Sequence, residues 1–203
     1  MQLPEIEYLL GQRRETGHAR LPQRDPSVVV PDAYPGKQLP LIVPDPSGNL
    51  TPAELTWGFD APPGMRAKLV FNTRIETALS HAAAGRGMWA SPIEQGRCLI
   101  PVLAFYESWT HNPPRRGMQV RFTLPGRKAF LLAGIQENGR VSVVTTTPNA
   151  DVGPLHTRMP LVLGPGDSSI WLGPDYASLA DRSAIRLIAS PEAELPATKG
   201  GSS

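Results

Sequence analysis

At 203 residues the chain is long enough to bury a good core as one domain. Hydrophobic residues make up 40%, no apolar run approaches the roughly 20 residues that cross a bilayer, and the start lacks a charged, apolar and small-residue signal pattern, so the expectation is a soluble, cytoplasmic protein. The single cysteine, Cys98, excludes an intramolecular disulfide framework and a multi-cysteine metal site; net charge is only +2, but sixteen of the twenty basic residues are arginine, which either reflects composition alone or marks two-pronged binding of phosphate or carboxylate.

The first predicted element is a short amphipathic helix over Leu3 to Glu15, with Ile6, Leu9, Leu10 and Arg13 at helical spacing and Pro4 in its first turn. From Thr16 to Pro40 the prolines at 22, 26, 31, 35 and 40 deny regular pairing and predict a long extended segment, with "SVVV" a candidate edge strand. "LPLIVPD", the turn "PSGN" and "LTPAELTWGF" read as a hairpin. A strand "AKLVFNTR" comes next, then a helix "IETALSHAAA" ended by Gly85 and Gly87. The second half is richer in strands: "RCLIPVLAFYESW", "MQVRFTL", "AFLLAGI" and "RVSVVTTT", with "ENGR" as a turn. Two short helices near Ser168 to Leu172 and Tyr176 to Asp181 precede a last strand, "AIRLIAS". There is no internal repeat and no linker. The expectation is an α+β fold: a single domain over residues 1–190 with a curved, mostly antiparallel, barrel-like sheet and flanking short helices, and a disordered tail over 191–203.

Three polar residues sit in runs otherwise apolar enough to be core: Asn72 in "LVFNTR", Glu107 in "LAFYESW" and His156 in "GPLHTRMPLVL". Burying such groups costs a few kcal/mol unless they are hydrogen-bonded, so they are paired or line a cleft. Each has a plain alternative. Glu107 could face outward by strand alternation, His156 could be a structural histidine, Asn72 could cap the helix that follows, and Arg74 and Arg158 could be surface charges.

Together these stretches resemble a known family. "WGF", "FNTRIET", "RCLIPVLAFYESW", "TTTPN" and "LHTRMPLVL" occur in the order and spacing of the SOS response-associated peptidase family, the abasic-site processing proteins. The resemblance implies a sensor and shield of abasic sites in single-stranded DNA, whose N-terminal cysteine condenses with the ring-opened sugar aldehyde and closes a stable thiazolidine crosslink, together with a proposed autopeptidase activity. By motif, Asn72 would orient the nucleophile and the sugar, Glu107 would shuttle protons, and His156 would assist ring opening and Schiff-base formation. Arg74 and Arg158 would hold flanking phosphates, with Trp57 and Pro63 against the DNA. No metal or cofactor is implied, nor a membrane, and the expected state is a monomer. Cys98, in a run expected to be a buried strand, would be an inert packing cysteine.

The chain departs from the family pattern in two places. Position 2 is Gln2, where the family carries its cysteine, and "LPEIEYLL" begins a helix where the family has a short strand. The expectation is a start that lies upstream, or a relative that has lost its reactive strand; the alternative function is then a non-catalytic single-stranded DNA-binding module using Arg74, Arg158, Arg115 and Arg116. Secondly, "APPGMR" stands where the family has an aromatic wedge, so Pro62, Pro63 and Met65 would have to take its place, with weaker stacking.

Overall fold

The structure is a computed structural model that describes residues 32–109 and 118–191. The expected helix over Leu3 to Glu15, the "SVVV" strand, Arg115, Arg116 and nearly all of the tail lie outside the described residues.

The hairpin forms where its turn chemistry places it. Strand β1 (Gln38–Pro44) pairs antiparallel with β2 (Leu50–Trp57) along its whole length. Between them the Asp45 carboxylate accepts from the Ser47 and Asn49 amides at 2.8 and 2.9 Å, and the Asp45 amide closes on the Asn49 carbonyl at 2.8 Å. An aspartate that bonds its own turn in this way fixes the reversal before any long-range contact forms.

Beyond the hairpin, "AKLVFNTR" does not run as one strand. It divides at Phe71 into β4 (Leu69–Val70), which pairs with β3 (Phe59–Asp60), and β5 (Asn72–Arg74). The cause is the Phe71 carbonyl, which accepts from the Trp57 indole at 2.8 Å and from the Val143 amide at 3.1 Å, so the chain changes partners there. Helix α1 (Ile75–Ala83) follows directly, and α2 (Ala90–Gln95) is a helix not anticipated from the sequence. "RCLIPVLAFYESW" also divides, into β6 (Arg97–Val102) and β7 (Phe105–Ser108), which join different sheets.

Strands β8 (Gln119–Thr123), β9 (Phe130–Glu137) and β10 (Arg140–Thr146) match expectation. The turn joining β9 to β10 holds Asn138 and Gly139 at φ of 51° and 76°, the left-handed pair that a tight hairpin turn requires. Two-residue strands β11 (Met159–Pro160) and β12 (Val162–Leu163) pair with β10 and β9 respectively. Leu161 between them donates to Val144 and accepts from Ala133, so this segment fills the splay where β9 and β10 part. Helix α3 (Asp167–Leu172), a 3-10 helix (Tyr176–Ala180) and β13 (Ile188–Pro191) complete the described chain.

The pairings close on themselves. β10 joins β2, β2 joins β1, β1 joins β6, β6 joins β9 and β9 returns to β10, a closed circuit of five strands. Closure removes the exposed sheet edges that would otherwise invite association. Alternate residues of these strands feed two cores: Leu39, Leu41, Cys98, Ile100, Leu132, Val141 and Val143 fill the inner one. Ile42, Leu99, Ala133, Ile135 and Val144 face outward, under Ile75 and Ala78 of α1, Ile93 of α2, Trp171 of α3 and Tyr176. Burial on both faces explains why β6, β9 and β10 read as continuous apolar runs rather than alternating ones. Against the inner core lies a second, three-stranded antiparallel sheet in the order β13, β8, β7, where Phe105 and Phe122 stack with ring centroids 5.2 Å apart. Among the described residues, no helix is long and apolar enough to cross a membrane.

Candidate functional site

Glu107 is the third residue of β7 and therefore points to the same face as Phe105, which is buried. The outward-facing alternative is excluded: the Glu107 side chain is only 20% exposed. It faces His156, whose Nδ1 lies 3.5 Å from Glu107 Oε2. Burial pushes the Glu107 carboxyl up to about 7, and the positive charge that His156 can carry pulls the other way. A carboxylic acid that keeps its proton near neutral pH can deliver one there.

His156 stands in the turn that leads into β11, and two buried features hold it. Asn149, 3% exposed, accepts from the amides of Asp151 and Val152 at 3.1 and 3.0 Å and donates to the Ile185 carbonyl at 2.6 Å. The Val152 carbonyl then accepts the amides of Leu155 and His156. The ring itself has Nδ1 2.9 Å from the Arg158 carbonyl. The Arg158 amide also approaches Nδ1, at 3.4 Å; the carbonyl is the shorter contact, and with the proton on Nδ1 the ring donates to it and keeps Nε2 as the free nitrogen of the neutral imidazole. Asn149→Ala should cost about 2 to 3 kcal/mol, because it unties two amides and strands a buried carbonyl; a smaller loss in urea denaturation would show that the turn holds without it.

From the opposite flank come Asn72 and Arg74, both exposed on β5, with buried Thr73 between them on the other face. β5 runs parallel to β10, so Asn72 sits beside Val143 and Arg74 beside Thr145, while Thr145 on its other side faces Pro160 of β11. The end of β10 is thus the bar across which the β5 residues and the His156 turn are held together. Thr73 Oγ1 donates to Ser142 Oγ at 2.8 Å and Thr145 Oγ1 to the Thr73 carbonyl at 3.3 Å, which pins β5 to that bar.

Arg158 and Trp57, both expected to face DNA, are each held by partners within the protein. The Arg158 guanidinium forks onto Glu76 at 2.6 and 2.9 Å and donates to the Thr145 carbonyl at 2.8 Å, with its side chain 19% exposed. Trp57 is 8% exposed and packs edge-on to Phe71 at 6.1 Å. The aromatic surface that reaches solvent here is Phe71, 39% exposed, directly before Asn72; Met65, at 53%, and Pro63 are exposed in the turn between β3 and β4. Cys98 is fully buried opposite Gly134, and burial pushes its thiol far above the ordinary range, so it is no nucleophile. Among the described residues, no cluster of three or more His, Cys, Asp or Glu could hold a metal. "FNTRIET" contains Phe71 and Glu76 and "TTTPN" contains Asn149, but nothing local in the sequence marks the partners of these three.

Comparison with known proteins bears on the same stretches. A family model described as SOS response associated peptidase matches residues 13–199. The chain is 30% identical over 152 residues to the abasic site processing protein YoqW of Bacillus subtilis strain 168, covering 69% of this chain and 65% of that protein. It is 28% identical over 156 residues to the abasic site processing protein YoaM of the same organism, covering 71% and 66%. The matched part thus spans slightly under two thirds of these relatives' length. Among solved structures, a Bordetella bronchiseptica protein is similar at a TM-score of 0.62 and 24% identity, covering 82% of this chain and 90% of that one. A Bacteroides thetaiotaomicron protein is similar at 0.60 and 21%, covering 78% and 75%. These likenesses establish the fold.

Proposed function

As the chain belongs to the SOS response associated peptidase family, we propose that it recognises abasic sites in single-stranded DNA and promotes imine formation at the ring-opened sugar. The observation that carries this reading is the Glu107 and His156 pair, 3.5 Å apart and mostly buried, beside an exposed amide and an exposed arginine on β5. An amine adds to the sugar aldehyde to give a carbinolamine, which must lose water to become an imine. Glu107, protonated near neutrality, donates to the departing hydroxyl, and His156 Nε2 takes the proton released by the attacking amine. Asn72 offers an amide to the sugar, and Arg74 a guanidinium to a flanking phosphate. Trp57 supports Phe71, whose exposed ring is the surface on which a neighbouring base stacks. The relatives' names, abasic site processing proteins, support the substrate class.

A stable thiazolidine requires a thiol beside the condensing amine, and buried Cys98 does not supply one. The reading is tested by mixing the 203-residue chain, and a version carrying an N-terminal Met-Cys, with abasic and intact strands. The expected results are a crosslink of the 203-residue chain only after borohydride trapping, one of the Met-Cys version that survives denaturing electrophoresis without it, and none on intact DNA. Absence of both crosslinks contradicts the reading and leaves a non-catalytic single-stranded DNA-binding module. Arg74→Ala should also flatten the salt dependence of binding by roughly 0.7 log unit, one phosphate contact on a single strand. Arg158→Ala should leave that slope nearly unchanged, since its charge is already matched by Glu76; a slope lowered by Arg158→Ala as much as by Arg74→Ala would put both at the phosphates.

A further inference from the structure

We propose that Glu76 is a positioning residue for His156, acting through Arg158. The inference rests on the imine-forming role given to His156 above, but its physical basis is a chain of contacts independent of DNA. The His156 ring takes its direction from the Arg158 carbonyl, 2.9 Å from Nδ1. Where that carbonyl points depends on where Arg158 is anchored. Its guanidinium holds both carboxylate oxygens of Glu76 and the Thr145 carbonyl, three bonds of 2.6 to 2.9 Å that use both terminal nitrogens.

Glu76 sits in the first turn of α1, immediately after β5, with Arg74 as the residue before the helix. Burial pushes its carboxyl up, but the hydrogen bonds and charge of Arg158, its own backbone amide and the charge of Arg74 outweigh this and hold it below the usual carboxylate range. The fork is planar and two-pronged, so it fixes direction as well as distance, unlike a single-point ion pair. It also bridges 82 residues of sequence, from α1 to the turn before β11. The helix that follows Asn72 and Arg74 is therefore fastened to the turn that carries His156, and a residue that touches no substrate sets the ring's orientation and tautomer.

The test uses the full chain and two readouts. Nitrogen-15 spectra of the neutral His156 ring, taken without DNA, should show the proton on Nδ1 in the native protein and a mixture of both tautomers in Glu76→Ala. The rate of borohydride-trapped crosslinking to abasic single strands should fall about tenfold, as is usual when the group orienting an active imidazole is lost. Affinity for intact single strands should not fall, since the substitution removes an acidic charge beside Arg158 and Arg74. In a background of Arg158→Ala, removing Glu76 should have no further effect on either readout. An unchanged ring spectrum in Glu76→Ala overturns the proposal and reduces the fork to a surface ion pair. So does a tenfold loss that persists in the Arg158→Ala background. Failure of the native chain to distinguish abasic from intact strands would instead defeat the functional reading, and the ring spectrum would still decide the role of Glu76.

Discussion

Glu107→Gln is expected to lower the rate of borohydride-trapped crosslinking to abasic DNA by about 10²- to 10⁴-fold, the range for loss of a positioned general acid, while leaving binding to intact strands unaltered. Glutamine keeps the shape and offers a hydrogen-bonding amide in place of the carboxyl, but cannot donate an acidic proton. The same substitution should change stability in a pH-dependent way. In the folded chain burial raises the Glu107 carboxyl from its usual 4.5 to about 7, so between those values the native state binds this proton more tightly than the unfolded state does. Its contribution is therefore fully present below about 4.5, falls as pH rises to about 7, and stays lost above. At 1.36 kcal/mol per unit, the glutamine variant should exceed the native protein by on the order of 3 kcal/mol at pH 8, and by little at pH 4. Urea midpoints at the two pH values measure it. A variant equally stable at both, relative to native, would mean that Glu107 ionises freely.

His156→Ala is expected to cost roughly 10²-fold in the same crosslinking rate and to move the alkaline limb of its pH profile upward. The sign follows from the pair. Protonated His156 favours the ionised form of Glu107, so its removal leaves burial unopposed and the carboxyl holds its proton to higher pH. The native rate should fall as Glu107 loses its proton above about 7; in the variant that fall begins later, on a lower plateau. A limb that stays in place would show that Glu107 and His156 titrate independently despite their 3.5 Å separation.

How much of this was legible in sequence depended on whether the information was local. The β1 and β2 hairpin and the Asn138 turn were readable because Asp45, Asn138 and Gly139 dictate backbone shape within a few residues. The division of "AKLVFNTR" at Phe71 was not, since it is caused by Trp57 and Val143, respectively 14 residues before and 72 after it. The apolar run through β6 and β7 hid a change of sheet, because burial on two faces erases the alternation that would have marked it. β11 and β12 are two residues each and exist only to fill the gap between β9 and β10.

The site shows the same division. Asn72, Glu107 and His156 stood out as polar groups in apolar runs, and the structure brings Glu107 against His156. What organises them was invisible. Glu76 looks like any first-turn glutamate of a helix, and only the fold carries Arg158 to it. Asn149 looks like a turn residue, which it is, but the turn it builds is the one that presents His156.

The most direct measurement is the affinity of the full chain for one single-stranded oligonucleotide with and without a single abasic site, at fixed salt and near pH 7. The native protein should prefer the abasic strand at least about tenfold, equivalent to ~1.4 kcal/mol, and Asn72→Ala should erase most of that preference while intact-strand binding holds. Equal affinity for the two strands in the native protein would contradict the assignment of the Asn72, Glu107 and His156 site to an abasic sugar.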